Sequence, residues 1–341
     1  MKLAVVLFNL GGPDSPEAVV PFLNNLFADP AVIALPDILR KPLAWFIAHR
    51  RGPVARDIYE KIGGRSPILE ETQAQAAALQ AVLGEHDTRV FIAMRHWKPF
   101  SAQTAEAVAA FAPDHIVALP LYPQFSTTTS QSSLKAWKSA AAAAGITAPI
   151  TEICCYPEEP GFIAALAENI HAVRALCQDG ISYRLLLSAH GLPKRVVAAG
   201  DPYQWQVERT AAALVRELGV SDVSICYQSR VGPLEWIGPA TDAEIRRAGS
   251  EGKGVIVAPV AFVSEHSETL VELDIEYARL AARSGVADYL RVPTVGTTPA
   301  FISGLAGLVR QALADKATPR CCPPGLCRCS RQDPLRLSAA G

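Results

Sequence analysis

Residues 255–277 constrain this chain more than any other stretch. Val255 to Val263 is an unbroken apolar run, short and rich in β-branched residues. Such a run predicts a strand buried on both faces of a parallel sheet. Ser264 follows where a helix N-cap belongs, with Glu265 and Glu268 in the expected first turn. Glu268, Glu272 and Glu276 then recur every fourth residue, so an α-helix would line their carboxylates along one face. Leu270, Leu273 and Ile275 are left to pack on the sheet. An acidic row of this kind is often a solvated helix face. Its position argues otherwise, because it begins with His266 at the carboxyl end of a buried strand, where open α/β sheets bind ligands.

The rest of the chain repeats that pattern. Further strands are expected over 3–8, 90–94, 116–119, 150–154, 184–188 and 223–227. Helical stretches separate them over 16–26, 70–83, 102–111, 133–144, 162–176, 204–218 and 242–248. Alternation of this kind predicts the α/β class, with parallel sheets flanked by helices. The chain has 341 residues, enough for two domains, and Pro149, Pro157 and Pro160 mark a break. The expected units are 1–150 and 151–316, with a last helix over 299–313 that returns to pack on the first. Residues 317–341 lose periodicity and form a cysteine-rich tail.

Half the residues are hydrophobic (50%) and the net charge is −1, without a basic patch that would recruit nucleic acid. The first apolar run is too short for a signal peptide, and no run is long enough to span a bilayer. A cytoplasmic protein is expected. One segment, 31–47, carries Trp45 and Phe46 between Arg40, Lys41, Arg50 and Arg51. It reads as a pocket lip, a peripheral contact with the inner membrane, or a plain packed helix pair. A homodimer is a further partner expectation.

Six strand ends carry polar or conformationally special residues. They are Asn9-Leu10-Gly11-Gly12-Pro13, Arg95-His96-Trp97, Pro120-Leu121-Tyr122-Pro123-Gln124, Ala189-His190-Gly191-Leu192-Pro193, Gln228-Ser229-Arg230 and Glu265-His266. All should open onto the carboxyl edges of the sheets and line one cleft. His190 is held outward by the turn after it; imidazole accepts a proton near neutral pH and ligates iron or zinc. A lone histidine there is more often structural, but Glu268 would complete a proton relay or metal site. His49, His86, His115 and His171 read as surface or packing residues. Gly11-Gly12-Pro13 lacks both the dinucleotide fingerprint and a Walker lysine. Histidine, not serine, occupies the turn at 190, so no nucleophile elbow is present. Arg50, Arg51, Tyr59 and Gly63-Gly64-Arg65-Ser66-Pro67 read as a long loop suited to a large flat anionic ligand.

These motifs together resemble the ferrochelatase family over residues 3 to 314. The resemblance rests on Asn9-Leu10-Gly11-Gly12-Pro13, Ile62-Gly63-Gly64-Arg65-Ser66-Pro67, Leu121-Tyr122-Pro123-Gln124-Phe125-Ser126 and Ser188-Ala189-His190-Gly191-Leu192-Pro193. It continues through Tyr227-Gln228-Ser229-Arg230-Val231-Gly232-Pro233 with Trp236, and Glu265-His266-Ser267-Glu268-Thr269-Leu270. It implies two Rossmann-like domains clasping protoporphyrin IX in a cleft, with Fe²⁺ inserted to give protohaem. His190 and Glu268 are implied as catalytic and iron-site residues, and Glu272 and Glu276 as an acidic relay. Arg51, Tyr59 and Ser66 match porphyrin-contacting positions, and Arg95 lies on the opposite wall. The turn at Asn9 is similar to that of the protoporphyrin-using branch; a coproporphyrin-using enzyme, a non-catalytic porphyrin carrier and an iron–sulfur redox sensor are the alternatives.

Of the 8 cysteines, Cys321, Cys322, Cys327 and Cys329 crowd together near the end. In a chain with no export signal they read as metal ligands before disulfides. They resemble the tail of bacterial ferrochelatases with a [2Fe–2S] cluster, which implies Cys321, Cys327 and Cys329 with Cys155 from the body. Cys154 and Cys322 are the alternatives at their positions, and a zinc site or an unstructured tail the alternatives to a cluster.

Overall fold

The structure, a computed structural model, describes residues 1–84, 87–230, 232 and 234–314. Its strands are β1 (Lys2–Asn9), β2 (Asp87–Met94), β3 (His115–Pro120), β4 (Ile150–Glu152), β5 (Tyr183–His190), β6 (Val223–Gln228), β7 (Gly254–Pro259) and β8 (Tyr289–Arg291). The α-helices are α1 (Val19–Phe27), α2 (Asp37–Glu60), α3 (Ile68–Val82), α4 (Ser101–Phe111), α5 (Ser130–Ala143) and α6 (Pro160–Arg174). They continue as α7 (Lys194–Ala198), α8 (Tyr203–Leu218), α9 (Thr241–Ser250), α10 (Ala278–Arg283) and α11 (Pro299–Ala314).

Two four-stranded parallel sheets result, in the orders β2-β1-β3-β4 and β6-β5-β7-β8. The second unit thus repeats the strand order of the first. This is the expected α/β class with two Rossmann-like domains. Each chain path leaves its first strand for one side and returns on the other, so the switch points lie at the carboxyl ends of β1/β3 and β5/β7.

The sheets are sealed by period-two burial. Leu3, Val5 and Leu7 of β1 face a core that also holds Leu79 of α3, Phe162 of α6, Leu185 and Leu187 of β5 and Phe301 of α11. Ala4, Val6 and Phe8 face the opposite way, onto Trp137 of α5. One continuous apolar layer therefore joins the two sheets, with α11 packed against α6 and α3 inside it. Polar clamps cross the same seam. Gln75, on α3 and fully buried, donates to the carbonyls of Val263 (2.7 Å) and Gly296 (3.0 Å). Gln124 donates to Thr210 Oγ1 (2.9 Å) and the Val260 carbonyl (3.0 Å).

Several local expectations are corrected. The strand begun at Gly254 stops at Pro259, and residues 260–267 turn away instead of extending it. Proline donates no ladder hydrogen bond, and the chain bends there to reach Gln75. Ser264 is no N-cap: its hydroxyl donates to Gln75 Oε1 (3.1 Å). The helix starts at Glu268 and is a π-helix through Tyr277, with Thr269, Val271 and Leu273 buried in place of the Leu270, Leu273 and Ile275 stripe. The region from Arg50 to Tyr59 is helix, not loop: α2 runs 24 residues with Pro42 and Pro53 inside it. Its two prolines and lack of a clean apolar face hid it. Of the stretch after β3, Gln124, Phe125 and Ser126 are drawn into the seam at 1–2% exposure, while Tyr122 stays half-buried. The three-residue strand β8 went unseen, being too short for a pattern. His86, Val231, Pro233 and the tail cysteines lie outside the described residues.

Candidate active site

The second sheet's switch point brings the two strongest sequence candidates together. His190 is the last residue of β5, and Glu268 opens the π-helix that follows β7. His190 Nδ1 lies 2.6 Å from the Gly191 carbonyl, which makes it the donor there and leaves Nε2 as the reactive nitrogen. Nε2 sits 3.5 Å from Glu268 Oε1. The carboxylate's other oxygen, Oε2, lies 3.7 Å from Nε2 of His266, whose ring packs on Phe262. One carboxylate is thus flanked by two imidazoles.

Electrostatics make the pair an ion pair. Burial opposes the His190 cation, but the Glu268 charge and hydrogen bond, with the Gly191 carbonyl and Glu272 behind, push it up to about 9. Burial would raise Glu268, yet the His190 cation and the His266 ring hold it well below the usual carboxylate range. Glu272 goes the other way. Burial and the Glu268 charge raise it, against the opposing donation from Ser229. Its carboxylate accepts from the Ser229 backbone (2.8 Å), the Ser229 hydroxyl, Gln228 Nε2 (3.1 Å) and Tyr277 OH (3.0 Å). Gln228 also donates to the Glu268 carbonyl (2.9 Å), and Ser188 donates to Gln228 (2.8 Å). A buried chain from β5 through β6 therefore sets the start of the π-helix. Glu276 ends the row, exposed, with Lys61 Nζ at 3.6 Å.

The first unit contributes Tyr59, whose hydroxyl accepts from Ser267 at 3.5 Å. Burial pushes this phenol up to about 12, with the nearby Glu268 charge adding to it, so it stays neutral. Ser66 lies beneath the first strand's turn. A Cβ at position 12 would stand 2.5 Å from Ser66 Cβ, so only glycine fits there. Arg51 is on the exposed side of α2, over the Phe27 ring at 5.8 Å. Arg95 is held by Asp29 and Ser132. His96 beside it is pushed down to about 3 by burial and the Arg95 charge, so its ring is neutral.

Sequence reasoning missed Gln228, Ser229 and Tyr277 as the holders of Glu272, and Asp29 and Ser132 as those of Arg95. The strand-end rule singled out Gln228-Ser229 but supplied no partner for it. Among the described residues no group of three or more His, Cys, Asp or Glu side chains is placed as a ready metal cage. His190 Nε2 faces the Glu268 carboxylate.

A family model described as Ferrochelatase matches residues 2–313. The chain belongs to the ferrochelatase family. A ferrochelatase of Caulobacter vibrioides (strain NA1000 / CB15N) is 56% identical over 317 residues, covering 92% of this chain and 90% of its own. One of Phenylobacterium zucineum is 54% identical over 339 residues, covering 97% and 98%. Among solved structures, SirB from Bacillus subtilis with Fe3+ superposes with a TM-score of 0.55 at 14% identity, covering 92% of this chain and 96% of that one. CbiX, described as the terminal enzyme for biosynthesis of siroheme in denitrifying bacteria, has a TM-score of 0.50 at 17% identity, covering 92% and 99%. These two likenesses establish a chelatase-type fold.

The thiols singled out in the sequence are divided between the body and the tail. Cys154 and Cys155 follow β4, half-buried, and Cys155 Sγ accepts from Gln206 Nε2 at 3.3 Å. An N–H aimed at sulfur suits a ligating thiolate. Cys321, Cys322, Cys327 and Cys329 lie outside the described residues.

Proposed function

We propose that this chain is a ferrochelatase that inserts Fe²⁺ into protoporphyrin IX to form protohaem, the last step of haem synthesis. The observation that carries the reading is the His190–Glu268 pair at the second sheet's switch point. Insertion must remove two N–H protons from the ring while a dication takes their place. His190 Nε2, once it has given up its own proton, has the lone pair to accept one. Glu268, held ionised, attracts the metal and balances the imidazolium. Glu272, with its raised proton affinity, is the readiest proton holder of the row, and exposed Glu276 returns protons to water. On the first unit Tyr59, Ser66, Arg51 and Arg95 are the porphyrin contacts in this reading. Anaerobic addition of Fe²⁺ and protoporphyrin should generate haem absorption bands catalytically. Bound porphyrin with no bands would mean a carrier and overturn the assignment.

The ion pair sets a pH dependence. Below about pH 9 the His190 imidazole holds a proton that Fe²⁺ must displace. Apparent Fe²⁺ affinity should therefore rise about tenfold per pH unit and level off above about 9. For stability the sign is the usual one for each group. The raised His190 contributes fully below its unfolded value near ~6.5, and that contribution fades as pH rises through about 9. The lowered Glu268 contributes above 4.5 and fades as pH falls. Anaerobic titration calorimetry across pH 6 to 9 reads the metal effect directly; a flat affinity would mean that His190 does not ligate.

The chain divides, in this reading, into units 1–150 and 151–316 and the tail 317–341; the return of α11 to α3 supports a last helix shared with the first unit. The tail thiols Cys321, Cys327 and Cys329 with Cys155 hold a [2Fe–2S] cluster, supported by the Gln206 donor at Cys155. The cluster would pin the tail, and no proton or metal step is routed through it. Purified protein should be reddish-brown with about two irons per chain. Cys327→Ser or Cys329→Ser should abolish that colour, and Cys177→Ser and Cys226→Ser should not. Colourless protein holding one zinc would replace the cluster with a zinc site.

We place the enzyme in the cytoplasm, in peripheral contact with the inner membrane. No helix among the described residues is long and apolar enough to cross a membrane. On α2, however, Ile38 is 82% exposed, Leu39 and Trp45 58% and Phe46 56%, alongside exposed Lys41 and Arg50. A bilayer surface would cover that face, as would a second copy in a homodimer. Vesicle flotation and sedimentation distinguish the two.

A further inference from the structure

We infer that Asp29 is a positioning residue that, with Ser132, fixes the Arg95 guanidinium at the carboxyl edge of the first sheet and so sets porphyrin binding. The inference rests on the reading of the site as a porphyrin cleft. Arg95 directly follows β2, and its backbone N–H donates to the Asn9 carbonyl at 2.9 Å, which ties it to the end of β1. Its side chain is 24% exposed, so part of it reaches the surface and part does not. The inner part is fully engaged. Nε donates to Ser132 Oγ (2.7 Å), Nη2 pairs with Asp29 Oδ2 (2.8 Å), and Ser132 donates to that same oxygen (2.6 Å).

The Asp29 side chain is 1% exposed, and a carboxylate that deep requires a cation. His96 Nε2 is 3.9 Å from it, but that ring is neutral, so the cation is Arg95. Two bonds from a planar guanidinium to two fixed partners remove its freedom to swing. Asp29 has a second duty. Its Oδ1 accepts from the Ala31 N–H (2.9 Å), and its carbonyl accepts from Val32 and Ile33 (both 3.0 Å). This turn leads into α2, the helix bearing Arg51 and Tyr59. One buried residue thus holds the Arg95 wall in register with the root of the helix that carries Arg51 and Tyr59.

A double-mutant cycle on protoporphyrin affinity, read by fluorescence quenching, tests this. Asp29→Asn keeps an oxygen for the Ala31 N–H but turns an amide toward Arg95 and Ser132, so it removes the charge pair and spares the turn. Arg95→Ala and Asp29→Asn should each weaken binding about tenfold, the size of one charge-assisted hydrogen bond. The double variant should bind no more weakly than either single one, because Asp29 acts only through Arg95. Equal losses from Asp29→Asn with and without Arg95 would reduce Asp29 to a structural role and overturn the inference. So would wild-type affinity in either single variant. If Asp29→Asn does not fold, Ser132→Ala replaces it in the cycle under the same criterion. Wild-type protein that fails to bind protoporphyrin would sink the porphyrin reading itself, an outcome distinct from additivity.

Discussion

His190→Ala should fold, bind protoporphyrin and lose at least about a hundredfold in turnover, the low end for removal of a positioned proton acceptor. The side chain is 37% exposed, so truncation opens no deep cavity and the β5 ladder is untouched. What it removes is the strand-end nitrogen that faces Glu268 at 3.5 Å and can carry a lone pair toward an incoming metal. Glu268 would then lose its nearest cation, and its proton affinity should rise under burial. Single-turnover haem formation under anaerobic conditions is the measurement. Near-normal rates would remove His190 from the mechanism.

Glu268→Gln should cost about as much, again on the order of a hundredfold in turnover, with porphyrin affinity nearly unchanged. Glutamine keeps the size and one acceptor but not the charge. Burial lowers the proton affinity of His190, and the Glu268 charge and bond are the largest causes that reverse that, ahead of the Gly191 carbonyl and Glu272. Without them the His190 midpoint should fall, so the pH at which Fe²⁺ affinity levels off should move down from about 9. Loss of turnover and a lowered midpoint in one variant would tie Glu268 to His190. Glu272→Gln should do less, because that residue lies one turn beyond Glu268, does not pair with His190, and keeps the Ser229 and Tyr277 groups around it. Were both substitutions silent, the row would be only a helix face.

Much of the fold was readable along the chain. A strand buried on both faces must be a short, continuous apolar run, and β1, β3, β5 and β7 each announced themselves that way. His190 was visible for the same reason, since a polar residue ending such a run is a local fact. The π-helix leaves no such local mark. Spacing every fourth residue suits an α-helix, and the switch in hydrogen bonding to i→i+5 depends on what the helix end must meet. Here Gln228 takes the Glu268 carbonyl and Ser229 takes Glu272, partners supplied by the end of β6 and the residue after it. The long helix α2 was lost to its prolines and its exposed apolar residues, which mimic a loop or a lip.

By itself the sequence determined the α/β alternation, the two repeated units and the polar strand ends, because burial periodicity and turn chemistry act over a few residues. Tertiary structure alone decided which strand ends meet. The order β6-β5-β7-β8 sets His190 beside the chain leaving β7, and the seam draws Gln124 away from the cleft and into the interface. Gln75 finds the Val263 carbonyl 188 positions away, and Asp29 finds Ser132 at 103. Pairings at such separations leave no local periodic trace. They arise because a buried polar group must find a partner wherever the packed sheets bring one within reach.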